Sequence, residues 1–256
     1  GVPAVLSRRV DNPEARLLVS WKYRLYARVI CISQGIADVL LAEGVPADKI
    51  RVVRSAVDAA AWLEPVSREA FCREFEVSPD APLIGVVAQL IERKGHRYLF
   101  EALAALPATQ PFSLVVFGQG PLRESLEAMV QQLGLAPRVR FAGFRKDLPR
   151  WLGGLDLLVH PALMEGLGVS LLQASAAGVP IIACRAGGMP EAVADGVSGL
   201  LVPPGNTPAL QAAIGRLLAD PALRRRFGDQ GRERILREFS TAAMAAGNLQ
   251  VYRELR

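Results

Sequence analysis

A chain of 256 residues, 51% of them hydrophobic, is long enough to bury one full α/β domain with material left over. No apolar run approaches the ~18–20 residues of a membrane-spanning helix, and the formal charge of +5 permits an anionic partner, although an arginine-rich solvated surface explains it equally. Cys31, Cys72 and Cys184 share no metal-binding or redox spacing, which predicts reduced thiols and a cytoplasmic setting.

The chain opens Gly1-Val2-Pro3 with no charged-then-apolar leader, so its start is expected to lie inside a longer protein. The β-branched run at 27–32 predicts a strand, after which Ser33 can cap a helix with Ile36, Val39 and Leu40 on one face and Gly44 as its stop. A second strand is predicted at 50–53. Residues 54–66 lose periodicity and contain Pro65, which marks a linker, and Ser67 can cap a short helix with Phe71 and Phe75 four apart. Two strands and one helix are too little for an independent sheet. Residues 1–57 are therefore expected to be the trailing part of a first domain.

From residue 82 the pattern becomes regular. Strands are predicted at 83–88, 112–117, 138–142, 156–159, 180–183 and 198–202, with helices at 95–106, 121–133, 147–153, 168–177, 188–194 and 206–219. Continuous apolar strands alternating with amphipathic helices specify an α/β fold, a doubly wound parallel sheet covered on both faces. Asp220-Pro221 opens a further helix through Leu223, Phe227 and Ile235. Ser240-Thr241 opens the last one. The expected division is a Rossmann-like domain over 58–239 and a terminal helix over 240–256 that packs back towards the first part.

Loops leaving the carboxyl ends of parallel strands face the ligand crevice of such a sheet. The first carries Gln89 and Lys94-Gly95. Lys94 can neutralise a phosphate as a point charge and Gln89 can donate to its oxygens, while a solvated loop lysine fits the spacing as well. The second reads Gly118-Gln119-Gly120-Pro121, with Arg123 where a dinucleotide fingerprint needs its third glycine and no acid near Phe141 for a ribose. That disfavours a nicotinamide-dependent oxidoreductase, and a tight turn with Pro121 at the first helical position explains both glycines. In the third, the backbone around Phe144 can meet a base edge and Arg145 or Lys146 can approach phosphate; a plain loop with Asp147 capping a helix is equally consistent.

The richest stretch runs from Leu155 through Glu165-Gly166-Leu167-Gly168-Val169 to Gln173. A buried strand leads into a glycine turn and a helix start, where amides form an anion site and glycines let a phosphate approach the backbone. Glu165 would project into that crevice, unless it only complements the helix dipole. Gln173, eight residues on, can reach a ribose hydroxyl or lie on the surface. Gly187-Gly188-Met189-Pro190-Glu191 forms either a loop over ligand or an ordinary helix entry with Glu191 in its first turn. His96 and His160 stand 64 residues apart without cysteine partners, which argues against a metal site. His160 lines the crevice or is a satisfied structural histidine.

In order and spacing these motifs resemble the GT-B glycosyltransferases of family 4, from about residue 27 to the C-terminus. The carriers are Ser33, Ser55-Ala56-Val57-Asp58, Lys94-Gly95, Gly118-Gln119-Gly120-Pro121, Asp147-Leu148, Glu165-Gly166-Leu167-Gly168, Gly187-Gly188-Met189-Pro190-Glu191 and Gly199-Leu200-Leu201-Val202-Pro203-Pro204-Gly205. The resemblance implies two Rossmann-like domains facing across a cleft and a retaining transfer from a nucleotide-diphosphate sugar to a glycan or lipid-linked acceptor. It implies that Lys94 contacts the diphosphate, that Glu165 faces the sugar, and that amides from Gly166 to Val169 take sugar and phosphate oxygens. It also implies no metal or other cofactor, the leaving diphosphate being stabilised electrostatically, and no nucleic-acid partner.

Three departures stand out. Gln89 replaces the family's frequent arginine, removing one positive charge from the phosphates, and Gln173 replaces the second glutamate of a paired motif. Exchanging a charged for a neutral hydrogen bond costs on the order of 1 kcal/mol. The third departure is that most of the acceptor-side domain is not represented in this chain. A non-catalytic nucleotide-sugar binding module is the alternative reading. The basic run with Arg224, Arg225, Arg226, Arg232, Arg234 and Arg237 fits either a solvated helix face or peripheral contact with an anionic membrane at its inner face.

Overall fold

The computed structural model describes residues 2–58, 62 and 66–255. Much of the predicted linker, residues 59–61 and 63–65 with Pro65, lies outside the described residues.

Two parallel sheets organise the chain. The first has the order β1-β2-β3, from β1 (Val5–Arg8), β2 (Arg28–Cys31) and β3 (Ile50–Val52). Helix α1 (Arg16–Lys22) connects the first two strands and α2 (Gln34–Ala42) the second two. As its sequence predicts, Ser33 caps α2 by accepting from the Ile36 amide, and Gly44 beyond its end takes the left-handed φ of +93°. Strand β1 and helix α1 correct the expectation of two strands and one helix. Only two apolar residues of β1 precede its Ser-Arg end, and α1 leaves Leu18 and Trp21 exposed, so neither segment shows a one-faced apolar pattern.

The second sheet follows α3 (Arg68–Phe75), which Ser67 caps at the Ala70 amide. Its strands are β4 (Leu83–Val87), β5 (Ser113–Phe117), β6 (Val139–Gly143), β7 (Leu157–His160), β8 (Ile181–Cys184) and β9 (Gly199–Val202). They lie all parallel in the order β6-β5-β4-β7-β8-β9. The connecting helices are α4 (His96–Ala104), α5 (Arg123–Gln132), α6 (Leu148–Leu152), α7 (Val169–Ala176), α8 (Met189–Ala192) and α9 (Thr207–Ala219). Strands β5, β7 and β8 are buried along their whole length, as a sheet covered on both faces requires. Phe75 packs edge-on against Phe117 and Trp151 at ring separations of 5.3 and 5.2 Å, fastening α3 under the sheet.

Two local expectations change. Helix α5 begins at Arg123, so Pro121 sits in the preceding turn rather than at the first helical position. Asp147 makes no capping bond; it holds the Arg145 guanidinium at 2.7 Å and accepts from the Trp151 indole at 2.8 Å.

Helix α10 (Pro221–Glu238) leads to α11 (Thr241–Arg253), which meets the first sheet. There Val251 is buried with Ile30 and Val53, and Glu254 pairs with Arg28 at 3.2 Å and Arg51 at 2.8 Å. In the basic run, Arg224 and Arg234 donate to backbone carbonyls of Leu217 and Glu191, and Arg237 pairs with Glu238. Those three arginines are committed within the protein. No helix among the described residues is long and apolar enough to cross a membrane.

Candidate active site

The strand order reverses between β4 and β7, which pair through Ile84 with Leu157 and Gly85 with Leu158. At such a reversal of strand order, the loops leaving the carboxyl ends are where open α/β sheets bind ligands. Lys94 lies on one loop, in a short 3-10 turn (Glu92–Lys94), and Glu165 lies on the other. The loops touch through Gly95, whose φ is +69° and whose added Cβ would stand 2.1 Å from the Pro161 carbonyl oxygen. A second tie runs from the Leu163 amide to the Arg93 carbonyl, 2.9 Å away.

This closeness brings the Lys94 ammonium directly onto Glu165 Oε2. His160 Nε2 reaches the same oxygen at 3.2 Å, and the Gly166 amide donates to Oε1 at 3.2 Å. Lys94 and His160 are buried, while the Glu165 side chain keeps 17% exposure. Burial pushes the Glu165 carboxyl upward, but the His160 hydrogen bond and the charge of Lys94 outweigh it and hold the group down to about 2. Glu165 is therefore a carboxylate at neutral pH, and His160 donates from Nε2. His160 Nδ1 is buried without a partner, as are both nitrogens of nearby His96. Burial, followed by the nearness of His160 and the charge of Lys94, pushes His96 down to about 4.

Beyond Glu165, Gly168 takes a left-handed conformation with φ +80° and releases the chain into α7 at Val169. The first amides of a helix have no intrahelical acceptor, so this end of α7 offers donors to an anion. Gln173 lies half-buried within α7.

The same loop is supported from the first sheet and from the loop that follows β8. Ser33 Oγ donates to the Gly166 carbonyl, and the Gly188 amide donates to the Glu165 carbonyl at 2.9 Å. Glu191 accepts from the amides of Gln34 (2.6 Å) and Gly35 (3.2 Å) and pairs with Arg54 at 3.3 Å. A carboxylate at the start of α2 meets both open amides and a favourable dipole.

A neighbouring cavity of about 290 Å³ is lined by Gln89, Gly118, Gln119, Phe144 and Leu148, among others. The glycines are sterically required: Cβ atoms on Gly118 and Gly120 would meet the carbonyl oxygens of Ala88 at 1.9 Å and Leu90 at 2.5 Å. Phe144 is 62% exposed at this rim. Arg145, a candidate phosphate ligand by sequence, is held by Asp147 and by Glu74 at 2.7 Å, with its charge over Phe75 and Trp151. The Asp147 and Glu74 hydrogen bonds raise its pKa and leave it little freedom for a ligand.

The sequence model described as "Glycosyl transferases group 1" matches residues 67–234. This chain belongs to that family. It is similar to 2-deoxystreptamine glucosyltransferase of Streptomyces kanamyceticus, 34% identical over 84% of this chain and 57% of that protein. Among solved structures, Anabaena HepE in complex with UDP is similar in fold, with a TM-score of 0.85, 24% identity, and coverage of 98% of this chain and 71% of that one. Sucrose-phosphate synthase of Thermosynechococcus elongatus gives a TM-score of 0.84 at 27% identity, over 97% of this chain and 67% of that chain. The chain thus has the GT-B type of α/β architecture, and it spans little more than half the length of the glucosyltransferase it matches.

Within this member of the group 1 family, the structure brings together Lys94, Glu165 and the start of α7, and gathers Gln89 and Phe144 at one cavity. Sequence reasoning left His160 undecided and gave Glu191 no partner. A histidine ending a buried strand five residues before the acid was the available signal for the first. The second required knowing that α2 faces α8, which no local pattern discloses.

Proposed function

We propose that this chain is the donor-binding part of a retaining family 4 glycosyltransferase that takes its sugar from a nucleotide diphosphate. The acceptor is a glycan or a lipid-linked molecule. Residues 1–57 would belong to the acceptor-side domain and 58–239 to the donor domain, with 240–256 returning to the first. The observation that carries this reading is the meeting of Lys94 and Glu165 beside the open end of α7.

In this reading the donor diphosphate lies between the Lys94 ammonium and the amides of Gly166 to Val169. The ammonium and oriented amides act on the charge that develops as the diphosphate departs, the electrostatic stabilisation expected where donors are prearranged. No metal or other cofactor is needed for that role. Glu165 is placed to accept from hydroxyls of the transferred sugar, and Gln173 from a ribose hydroxyl. Gln89 and Phe144 border the cavity assigned to the nucleoside.

Titration calorimetry of the chain with UDP, GDP and ADP sugars tests the reading. At least one donor should bind, and absence of heat with all three rejects it. Neutral Gln89 and Gln173 favour a second reading, a nucleotide-sugar binding module without transfer. Transfer of radiolabelled sugar by a full-length protein carrying this chain separates the two.

A further inference from the structure

The three-way contact at Glu165 contains a conflict once a diphosphate is present. Lys94 and His160 share Oε2, and the proposed donor site assigns the Lys94 ammonium to phosphate. With Lys94 so engaged, Glu165 loses one of its two side-chain partners while its carboxylate still borders solvent. Something else must keep it aimed at the sugar. Gly166 N–H, 3.2 Å from Oε1, belongs to the adjacent residue and cannot define the direction of the side chain alone.

His160 has the required properties. It is the last residue of β7, its backbone is paired with Ala183 of β8, and its side chain is only 2% exposed. Its ring is therefore fixed by the sheet rather than by the loops that embrace the ligand. Because carboxylates only accept, the bond to Oε2 requires a proton on Nε2, while Nδ1 is buried with no hydrogen-bond partner.

We infer that His160 is a positioning residue: it donates Nε2–H to Glu165 and retains that carboxylate towards the sugar when the donor diphosphate takes Lys94. The inference rests on the donor-site reading above and adds a function for a histidine that reading leaves idle. His160 touches no reacting atom; it acts through Glu165.

The chain has two histidines, so ¹⁵N-histidine NMR reads the tautomer directly, with His96→Leu assigning the signals. His160 is expected as the Nε2–H tautomer, slow to exchange with water, both alone and with UDP, GDP or ADP, whichever binds most tightly. An Nδ1–H tautomer, or an Nε2–H that exchanges freely once the diphosphate is bound, overturns the proposal. Affinities for that diphosphate and for its glucose ester supply the second readout. In His160→Leu the bare diphosphate should bind within twofold of the unaltered chain, while the ester weakens about tenfold. His160→Gln, whose amide can place a donor near the Nε2 position, should recover most of that loss, and His160→Asn, which is shorter, should not.

Equal weakening of ester and diphosphate in a His160→Leu variant that melts like the parent rejects the inference, as does an unchanged ester affinity. If His160→Leu fails to fold, the comparison of Gln with Asn decides by the same criterion. Failure of the unaltered chain to bind any diphosphate would instead overturn the donor-site reading itself, and this inference with it.

Discussion

Gly35 and Gly187 meet backbone to backbone: a Cβ added to Gly35 would lie 2.7 Å from the Gly187 carbonyl carbon. The contact joins the start of α2 to the loop that supports Glu165. Gly35→Ala must therefore push two backbones apart, since no flexible side chain is there to yield. The expected cost is about 1–3 kcal/mol in chemical denaturation. Gly215→Ala, also helical but with its nearest outside atom at an ordinary 3.7 Å, should instead gain up to about 1 kcal/mol. Equal effects at the two sites would remove the steric argument.

Lys94→Ala should weaken a nucleoside diphosphate far more than the corresponding nucleoside, by about 1.5–3 kcal/mol for the charged contact. Parallel titrations measure the difference. The same loss for both ligands would show that Lys94 does not serve the phosphates.

His96 and Glu165 predict separate acid transitions. His96 titrates at about 4 when folded against a reference of 6.5, because burial disfavours its charge. The unfolded chain binds the extra proton first, so stability present above 6.5 falls as pH drops towards 4, by on the order of 3 kcal/mol. Glu165 is held at about 2 against a reference of 4.5, so its contribution is complete above 4.5 and is lost as pH falls towards 2. Denaturation at a series of pH values should show His96→Leu flattening the upper window and Glu165→Gln the lower one. A His96→Leu curve parallel to that of the unaltered chain between pH 6.5 and 4 would contradict the assignment.

Glu191→Ala should free the start of α2. Hydrogen exchange at Gln34 and Gly35 is expected to accelerate, with a stability loss of about 1–2 kcal/mol for a carboxylate serving a helix start. Unchanged exchange at both amides would refute the contact.

The second sheet was legible in the sequence because β5, β7 and β8 are buried along their whole length and every strand is followed by a helix, so composition and period change together. Lys94 and Glu165 were legible for a related reason, since both follow strand ends at the reversal of strand order. Strand β1 and helix α1 were hidden, because a four-residue strand ending Ser-Arg and a helix with exposed Leu18 and Trp21 lack one-faced patterning. For Arg145 the sequence left phosphate contact and a plain loop open; its charge is met by Asp147 close in sequence and by Glu74, 71 residues earlier. The His160 contact depended on the turn of the loop after β7, which spacing does not specify.

The seat of Glu191 on α2 bears on where this protein can be cut. The family match begins at residue 67, an inviting start for a shorter expressed piece. Such a piece would omit Ser33, Gln34 and Gly35, leaving the Gly166 carbonyl without its hydroxyl donor and the Glu191 carboxylate without its two amides. It would keep the cavity beside Gln89 while loosening the segment that carries Glu165, so on the donor-site reading it should bind a nucleoside diphosphate and its sugar ester with more nearly equal affinity.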